Sequence, residues 1–584
     1  MKSLPALLIV TLFHAPVFSD IIPPERRIDW SPGVPDVSPD RAVENVKDHG
    51  ALGDGQTDDT DAFIKAIQRL SSRCGVLLIP AGTYLIKKEL VVTTGILFKG
   101  DGFEQTRLYF DLAGRSDNCI EFTKYDRGEW AAMEGGFEKG SREIIVSHPS
   151  RFSVGDFVEI QQENDAEIMY TNPEWQQSWA ENAVGQIARI ETIKTDGALV
   201  LNRPFYMTYR DELNPRIRRL GMIEYPGVED LYIERLDAGD GYTIQMRYVA
   251  YGRVQRIESN MTYRTHIYLS ESYACEVRNN YIHHAHDYGG GGHGYGVDTI
   301  SRTTDCLIMD NVFRHLRHSM LTHVGTSGNV FAYNYSCERE PQNLTDISLH
   351  GHYGNYNLFE SNVVQEVQVA DYWGPMGPGN TFLRNRIEAE SFRVDDHSHA
   401  QNIVGNEIVR GSLTIQSNVE NTLRHGNVIR GAVEWDPAIA DQTIPVSYFL
   451  ADKPDFLGRS SWPLFGPDAG GEKLPAQLRY ESGNPISGVR KTRSPAPRDY
   501  RISVYPNPFN PRTIISFELA KTERVHLEIY SALGRLVDVL LDEEMPAGEH
   551  AVSYQPSAVS ASGVYLVRIA TASATWQQKV LLMR

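Results

Sequence analysis

Short apolar runs recur through the middle of the chain, and an asparagine follows almost every one of them. Examples are LIMDNVF, VFAYNYS, LFESNVV and TFLRNRI. The intervals between these asparagines are 20 to 31 residues, and most are 20 to 23. The asparagines are Asn260, Asn280, Asn311, Asn334, Asn362, Asn385, Asn406 and Asn427. A strand-and-turn unit repeated at this period predicts a solenoid in which each rung buries its apolar face on its neighbours.

Asparagine suits an inward turn of such a rung because it tolerates left-handed backbone and hydrogen-bonds to its neighbours. We therefore expect these asparagines to recur at one turn, rung after rung. The two long intervals, of 31 and 28 residues, predict loops inserted between rungs. Cys275 and Cys306 each precede one of the asparagines by five residues, so we expect buried thiols inside the solenoid rather than a disulfide.

A helical period precedes the rungs. The apolar positions with this spacing follow the acidic residues Asp58, Asp59 and Asp61, which favour a helix N-terminus. They are Ala62, Ile64, Ala66, Ile67 and Leu70. Gly75 ends the predicted helix, and VLLIP then predicts a buried strand. A helix in this place can cap the open end of a solenoid.

The stretch from Val46 to Ile86 resembles the N-terminal segment of pectin lyase-like proteins of the pectate lyase 3 type. GALGDGQTDDTDAFIKAI and CGVLLIPAGTY carry this resemblance. It implies an all-β protein built on a right-handed parallel β-helix, which we place at residues 41–465. Lyases, hydrolases, epimerases and phage tailspikes share that fold, so the resemblance does not define the reaction.

Three other segments depart from the rung period. Residues 141–206 alternate apolar and polar positions between Gly-Asp and Asp-Gly turns, which predicts hairpins and a small β-barrel-like insertion. Residues 466–499 are rich in proline, glycine, serine and charge, as expected of a linker. Residues 500–584 contain about seven short runs with the strand spacing of a β-sandwich.

The last segment resembles the C-terminal sorting domain of type IX secretion cargo, and equally the Ig-like domain of a flagellar hook-capping protein. YPNPFNP, GVYLVRI and KVLLMR carry the resemblance. It implies that the secretion machinery is a partner and that the protein is secreted or held on the outer-membrane surface of a Gram-negative-type bacterium. Residues 1–19 have a basic start and an apolar centre, which predicts a secretory signal peptide.

The chain has 584 residues and a net charge of −18, so nucleic acid and anionic membranes are unsuitable partners. No segment is apolar over the roughly 18 residues that a transmembrane helix needs. We expect a monomer. An acidic substrate would have to overcome the negative charge, which requires local arginine or bound Ca²⁺.

Histidines concentrate in the rung region. Twelve of the 18 lie between His266 and His399, whereas lysine is absent between Lys194 and Lys453. Four positions after the repeated asparagines lie His284, His315, Glu338 and Glu366, with Arg314 one position earlier in its rung. Equivalent positions of adjacent rungs lie about 5 Å apart. This first column predicts a metal or proton-transfer site, with Glu338 and Glu366 as candidate metal ligands, or else a ladder of surface polar groups.

A second column holds His323, His352 and the pair Asp395 and Asp396, ten to eleven positions before the asparagines. Nearby loops combine histidine or aspartate with aromatic residues and glycine, notably HHAHDYGGGGHGYGVD. Four consecutive glycines destabilise regular structure and let the backbone approach a ligand. Candidate sugar-binding residues in these loops and columns are Tyr288, Tyr295, His284, His315, His350, Tyr353, Tyr372 and Trp373.

Two mechanisms fit these residues. In β-elimination on a uronic-acid polysaccharide, a cation neutralises the carboxylate and a base removes the C5 proton. Candidate bases are His293, His323 and His352, and the candidates for holding the carboxylate are Arg314 and Arg317. Glycoside hydrolysis would instead use two carboxyl groups, from Asp371, Asp395, Asp396 and Glu338.

The abundance of histidine favours elimination. Gly292-His293-Gly294 is also similar to the GHG element of polygalacturonases, in which NTD and DD motifs precede it, but here no NTD occurs upstream and the Asp395-Asp396 pair comes afterwards. We therefore do not transfer that mechanism. A non-catalytic adhesin that binds glycans is a third interpretation, but it does not explain why histidines crowd into the loops.

Overall fold

The computed structural model describes residues 21–35, 41–72, 74–169, 172–340, 345–486, 503–505, 512–519, 522–531, 535–546, 548–556, 562–571 and 575–582. The predicted signal peptide lies outside the described residues. The chain forms two compact units, Met1–Gly488 and Val489–Arg584. Among the described residues, no helix is both long and apolar enough to cross a membrane.

The predicted right-handed parallel β-helix is confirmed. Three long sheets, named A, B and C, run along the first unit, and sheets A and B each gain one strand from nearly every rung. The 12 strands of sheet A are Ala42–Asn45, Gly75–Ile79, Ile96–Gly100, Gly227–Glu229, Arg253–Gln255, Glu276–Arg278, Leu307–Met309, Val330–Ala332, Leu358–Glu360, Thr381–Leu383, Asn402–Val404 and Leu423–His425. The 13 strands of sheet B are Asp54–Asp58, Gly82–Ile86, Thr106–Phe110, Tyr232–Arg235, Glu258–Thr262, Tyr281–Ala285, Val312–Arg314, Tyr335–Cys337, Val363–Val364, Arg386–Ile387, Glu407–Ile408, Asn427–Ile429 and Ala432–Glu434.

Sheet C carries the candidate site. Its ten strands are Leu90–Val92, Ile120–Thr123, Ile244–Arg247, Thr265–Ser270, Tyr295–Ile300, His318–Thr322, Ile347–Leu349, Val367–Val369, Phe392–Val394 and Leu413–Ile415. Side chains alternate along each strand, so Ile267, Val297 and Met320 are buried in the solenoid core. The side chains that alternate with these core positions along each strand point outward and can form a binding surface.

Seven of the eight repeated asparagines form one buried ladder. From Asn280 to Asn427, each side-chain Nδ2 donates to Oδ1 of the next asparagine at 2.9–3.0 Å. Left-handed backbone occurs at the residue before the asparagine, such as Tyr333 (φ 56°) and Arg384 (φ 54°). The expectation that asparagine itself takes this conformation is therefore wrong. The position uses the amide, which pairs with a buried backbone N–H and carbonyl of the preceding rung and with the side-chain oxygen of the next asparagine, as at Asn334.

Asn260 does not belong to this ladder. Its Nδ2 donates instead to the Tyr232 hydroxyl at 3.0 Å, in a half-buried position. Ile257 holds the equivalent place, since its backbone N–H donates to Asn280 Oδ1 at 3.0 Å. The prediction for Asn260 is wrong because the first rung of the series is aligned three residues earlier.

A second ladder lies five residues before the first. Asn329, Asn357 and Asn380 donate from one side chain to the next at 3.0 and 3.1 Å. Cys306 and Cys275 extend it, with the Cys275 N–H donating to the Cys306 sulfur at 3.3 Å. Both thiols are buried and free, as expected for interior cysteines.

The N-terminal helix α1 spans Thr60–Leu70 and buries Ala62, Phe63, Ala66, Ile67 and Leu70 against the first rungs. Two shorter helices are α2, Ala166–Met169, and α3, Pro475–Glu481. Short 3₁₀ turns occupy Pro24–Arg26, Val46–His49, Pro149–Arg151, Pro173–Trp175, Ser178–Ala180, Asp211–Leu213 and Asp455–Leu457. Strands Ile223–Glu224 and Val249–Ala250 pair in a small separate sheet.

The insertion is a closed six-stranded barrel that begins earlier and ends later than residues 141–206. Its strands are Ala131–Gly135, Glu143–Val146, Phe157–Gln161, Gly185–Ile193, Leu199–Leu201 and Arg216–Leu220. The segment after Gln161 leaves the barrel and lies along the solenoid. There Gly325 approaches Ala183 so closely that a side chain would collide with its backbone.

Part of the expected linker packs on the solenoid instead. In α3, Arg479 pairs with Asp310 at 3.0 Å and the Tyr480 hydroxyl donates to Glu338 at 2.7 Å. Residues 487–499 lie outside the described residues. In the second unit, strands Ser503–Tyr505, Thr513–Leu519 and Gly548–Tyr554 form one sheet, and Glu523–Ser531, Leu536–Met545, Gly563–Thr571 and Thr575–Leu582 form another. The two sheets share an apolar core.

Candidate active site

A cleft of about 630 Å³ opens on the outward face of sheet C. Strands Thr265–Ser270, Tyr295–Ile300 and His318–Thr322 form its floor. The glycines at 290–292 form one wall, and residues 371–373 with Trp179 form another. Of the predicted site residues, the cleft is lined by Tyr295, Arg317, His323, His350, Asp371, Tyr372 and Trp373.

His350 and Asp371 form a direct imidazole–carboxylate contact, between Nδ1 and Oδ2. Burial alone would raise the pKa of Asp371, but the charge and hydrogen bond of His350 lower it well below its ordinary range. Asp371 also accepts hydrogen bonds from the Tyr372 N–H at 2.5 Å and the Ser348 hydroxyl at 3.1 Å. Asp371 is therefore an ionised and firmly oriented carboxylate.

His318 is the second imidazole of this corner. Its Nδ1 lies 2.8 Å from the Thr345 carbonyl oxygen, which can only accept a hydrogen bond. Burial lowers the pKa of His318 to about 3, so the ring is neutral near pH 7. The single ring proton is then on Nδ1, and Nε2 carries a lone pair.

His323 and Asp298 form a separate pair, with Nε2 and Oδ1 3.1 Å apart. Both side chains are more than nine-tenths buried. Neither ring nitrogen of His323 nor Oδ1 of Asp298 has a well-aligned hydrogen-bond partner among the described residues. Buried polar atoms in this state are rare in native proteins and point to a functional role or an absent ligand.

Two arginines line the cleft and hold its glycine-rich wall. Arg264 donates to the Gly291 carbonyl at 3.3 Å, and Arg317 donates to the Tyr288 carbonyl at 3.1 Å. Asp240 pairs with Arg264. Among the described residues, no carboxylate lies within ion-pair distance of Arg317, and its Nε lacks a partner. The cleft therefore contains an uncompensated cation.

Aromatic rings provide flat surfaces at both ends of the cleft. Tyr242 and Tyr268 stack at 4.1 Å. Trp179, contributed by the segment that leaves the barrel, packs edge-on against Trp373 at 5.4 Å and remains 42% exposed. Such faces match the C–H surfaces of sugar rings.

Two predicted bases do not line the cleft. His352 is buried beneath Trp179, its Nε2 lies 2.9 Å from the Trp175 carbonyl, and burial lowers its pKa to about 4. His293 lies at the side of the glycine wall, where Nδ1 contacts Asp287 at 2.6 Å. The structure places neither ring in the cleft, because local contacts hold both of them outside it.

The first column forms, but at the corner after sheet B and outside the cleft. His284, His315 and Glu338 all have left-handed backbone, and the two imidazole rings lie 5.1 Å apart. Arg314 pairs with Glu338 at 2.7 Å, and Tyr288 packs edge-on against His315. The two histidines have polar partners outside this set, His283 for His284 and Glu340 for His315. The column is therefore a polar ladder, and the structure does not bring its residues into the cleft.

The other acidic candidates are also engaged elsewhere. Glu366 pairs with Arg339 at 2.8 Å, so like the arginine-bound Glu338 it is unsuited to hold a metal. Asp395 lies beside the cleft and accepts from Gln368 at 3.3 Å. Burial raises the pKa values of Asp395 and Asp396. Tyr353 lines a separate cavity of about 170 Å³.

Sequence reasoning missed several cleft residues, namely Trp179, Tyr242, Arg264, Tyr268, Asp298 and His318. Aligning the rungs on the asparagine ladder from Asn280 to Asn427 would have identified some of them. Tyr268, Asp298 and Leu321 are paired across sheet C, so they occupy one outward column. Trp179 has no such signal because its segment belongs to no rung.

The comparisons with known proteins agree with this architecture. Residues 43–289 match the family model for rhamnogalacturonase A/epimerase, pectate lyase-like, and residues 503–583 match that for the secretion system C-terminal sorting domain. Residues 43–289 therefore form part of a pectate lyase-like β-helix, and residues 503–583 form a secretion sorting domain. The sorting domain marks this β-helix protein for export by the type IX system to the cell surface or beyond.

Individual relatives match only in short stretches. A glucan 1,3-beta-glucosidase of Cochliobolus carbonum is 46% identical over 63 residues, 9% of this chain and 8% of that protein. A probable glucan endo-1,3-beta-glucosidase of Arthroderma benhamiae is 28% identical over 119 residues, 18% of this chain and 13% of that protein. The β-helix protein thus spans a small part of these curated relatives.

Among solved structures, the tailspike gp61 of Pseudomonas phage phi297 superposes with a TM-score of 0.51. The superposition covers 92% of this chain and 99% of the tailspike, at 11% sequence identity. At this identity the likeness shows a shared fold and does not extend to the reaction.

Proposed function

We propose that this protein cleaves a uronic-acid-containing polysaccharide by β-elimination in the sheet C cleft. The observation that carries the proposal is the buried His323–Asp298 pair at the floor of a cleft that also contains Arg317, a cation without a carboxylate partner among the described residues. The pectate lyase-like match and the glucan-degrading activities named for the relatives support a carbohydrate substrate.

The cationic side of the cleft provides the first requirement of elimination. Arg317, with Arg264 beside it, binds the uronate carboxylate and withdraws charge from the ring, which acidifies the C5 proton. A neutral sugar would leave Arg317 without a counterion in a partly buried place. The negative net charge of the chain makes this local cation the feature that selects an acidic substrate.

His323 takes the C5 proton, and Asp298 orients the imidazole and stabilises the imidazolium that forms. The proton needed by the leaving oxygen comes from a cleft tyrosine. Burial raises the pKa values of Tyr268 and Tyr295, so both retain their hydroxyl protons at neutral pH. The stacked Tyr242 and Tyr268, and Trp179 with Trp373, receive flanking sugars.

Ca²⁺ does not fit this cleft. It prefers six to eight oxygen ligands, whereas the cleft carboxylates Asp298 and Asp371 each face an imidazole. The mechanism therefore assigns carboxylate binding to the arginines, and no step depends on calcium.

Hydrolysis is the second candidate, because one observation favours it. A general acid needs a raised pKa, which burial gives to Asp395 and Asp396 beside the cleft, while the ionised Asp371 could act as the opposing carboxylate. Elimination has the stronger support because it uses the imidazole pair and the unpaired arginine.

A glycan panel tests the proposal. The exported chain is incubated with pectic, alginate-type and glucuronate-containing polysaccharides and with neutral glucans, and unsaturated uronate (by ultraviolet absorbance) and new reducing ends are measured separately. We expect both signals on at least one acidic polymer. Reducing ends without unsaturated product would replace elimination by hydrolysis.

A further inference from the structure

Three side chains of the cleft floor converge in a way that the elimination mechanism does not require. His318, His350 and Asp371 come from successive rungs of sheet C, and each offers one ligand atom within 4.8 Å of the others. All three line the cleft, so a group bound between them would face the substrate. Two imidazoles and one carboxylate are the protein ligands of many catalytic zinc sites.

The surroundings of the cluster orient its donor atoms. The His318 Nδ1 donates to the Thr345 carbonyl at 2.8 Å, which leaves the lone pair of Nε2 for a ligand. Metal-bound histidines characteristically make such a hydrogen bond from the other ring nitrogen. Asp371 is fixed by the Tyr372 N–H and the Ser348 hydroxyl, as expected of a supported ligand.

A second, independent observation lies next to the cluster. The ring of His323 is 5.4 Å from that of His350, and both of its nitrogens are buried without a well-aligned partner. Oδ1 of Asp298 is in the same state. Orphaned polar atoms around three convergent donors indicate that this corner accommodates a polar or charged ligand.

We propose that His318, His350 and Asp371 bind one divalent transition-metal ion of the Zn²⁺ class, with an open coordination position toward the cleft. Zinc ligands lie about 2.0–2.2 Å from the metal, which places two ligand atoms of one tetrahedral ion roughly 3.4 Å apart, so donor atoms within 4.8 Å of one another need only small side-chain shifts. Imidazole suits Zn²⁺, Co²⁺ and Ni²⁺, whereas Ca²⁺ and Mg²⁺ select oxygen.

The metal would add to the proposed function, on which this role rests. Held by these three residues, it would supply Lewis-acid polarisation of the uronate carboxylate beside Arg317. His350 is then a ligand and does not act as base. That leaves proton removal to His323 and Asp298.

Metal binding is measured on the full, untagged chain without substrate. After dialysis against a chelator, Zn²⁺ is titrated by calorimetry, and Co²⁺ is titrated by its visible absorbance, which reports coordination by protein ligands. We expect one ion per chain, and a melting temperature that rises with Zn²⁺ but not with Ca²⁺. Asp371→Asn and His318→Ala should each weaken binding more than about 100-fold.

Two matched variants act as controls. His315→Ala removes a histidine of the corner ladder, and Asp298→Asn removes a cleft carboxylate outside the cluster. Both should bind Zn²⁺ as tightly as the unaltered chain. The proposal is overturned by the absence of stoichiometric binding in the unaltered chain, or by binding that Asp371→Asn and His318→Ala leave intact. If those variants unfold, the Co²⁺ titration of the unaltered chain decides the question. The site is rejected if no visible absorption band of protein-bound Co²⁺ grows and then saturates as Co²⁺ is added.

This test is separate from the test of elimination. Asp298→Asn should abolish turnover while retaining the metal, whereas Asp371→Asn should lose both. If the chain performs elimination but binds no metal, only the metal-site proposal is rejected. If it binds the metal but performs no elimination, the metal site stands and the proposed reaction is rejected.

Discussion

His323 Nε2 and Asp298 Oδ1 lie 3.1 Å apart on adjacent rungs of sheet C, although 25 residues separate them in the chain. The solenoid creates this pair, because it stacks the strand that holds Asp298 beside the strand that ends just before His323. The carboxylate orients the imidazole for proton transfer in the proposed reaction.

Replacement of His323 by glutamine should lower kcat by about 10²- to 10⁴-fold, the usual contribution of a positioned general base. The melting temperature should change little, because glutamine is similar in size and polar. Initial rates on the preferred acidic polymer measure the effect. His315→Gln, in the corner ladder, is the matched control and should keep full activity. Equal losses in both variants would show a general structural effect.

Arg317→Gln tests the selection of an acidic substrate. Loss of a charge-assisted contact of about 1.5–3 kcal/mol should lower kcat/KM by roughly ten- to 150-fold. The remaining activity should depend less on salt concentration, because the variant no longer has the attraction between Arg317 and the substrate carboxylate that salt screens. Steady-state kinetics at low and moderate salt provide the measurement. Unchanged kcat/KM would mean that the carboxylate binds elsewhere.

The asparagine ladder predicts a stability difference between two asparagines. Asn334→Ala removes the side-chain partner of the buried Asn311 N–H and of the Ile308 carbonyl, which should cost about 3 kcal/mol or more in the free energy of unfolding. Asn260→Ala, at the half-buried position outside the ladder, should cost less than about 1 kcal/mol. Urea denaturation compares the two. Equal costs would contradict the ladder.

Glu360 predicts a pH dependence of stability. Burial raises its pKa from 4.5 to about 7, so the folded state favours the protonated carboxyl. The unfolded chain releases this proton near pH 4.5, and stability is therefore lost as the pH rises from about 4.5 to about 7. Glu360→Gln stays neutral and should gain in melting temperature relative to the unaltered chain over that interval. A difference independent of pH would refute this assignment.

The sequence predicts the solenoid well because its period is set by a local requirement. Seven successive rungs place an asparagine side-chain amide at one corner. The cap helix is also predictable from the local sequence, because five apolar residues at helical spacing define its buried face. Asn260 was misassigned because spacing alone cannot distinguish a ladder position from a polar strand position three residues away.

The cleft was only partly predictable. His323, His350 and Asp371 are candidates for chemistry by residue type alone. Their proximity in space cannot be predicted from spacing, because inserted loops shift the alignment of the rungs. His352 has the same composition signal as His350 and lies two residues away, yet it is buried under Trp179. Trp179 reaches the cleft from the barrel segment, and no repeat pattern relates it to the rungs.

Cleavage in water enriched in heavy oxygen tests the central claim most directly. Elimination breaks the glycosidic bond without adding water, so the account predicts products that contain an unsaturated uronate and no heavy oxygen. Mass spectrometry of the oligosaccharides reads both features at once. Products that are saturated and carry one heavy oxygen at the new reducing end would show hydrolysis and contradict the account.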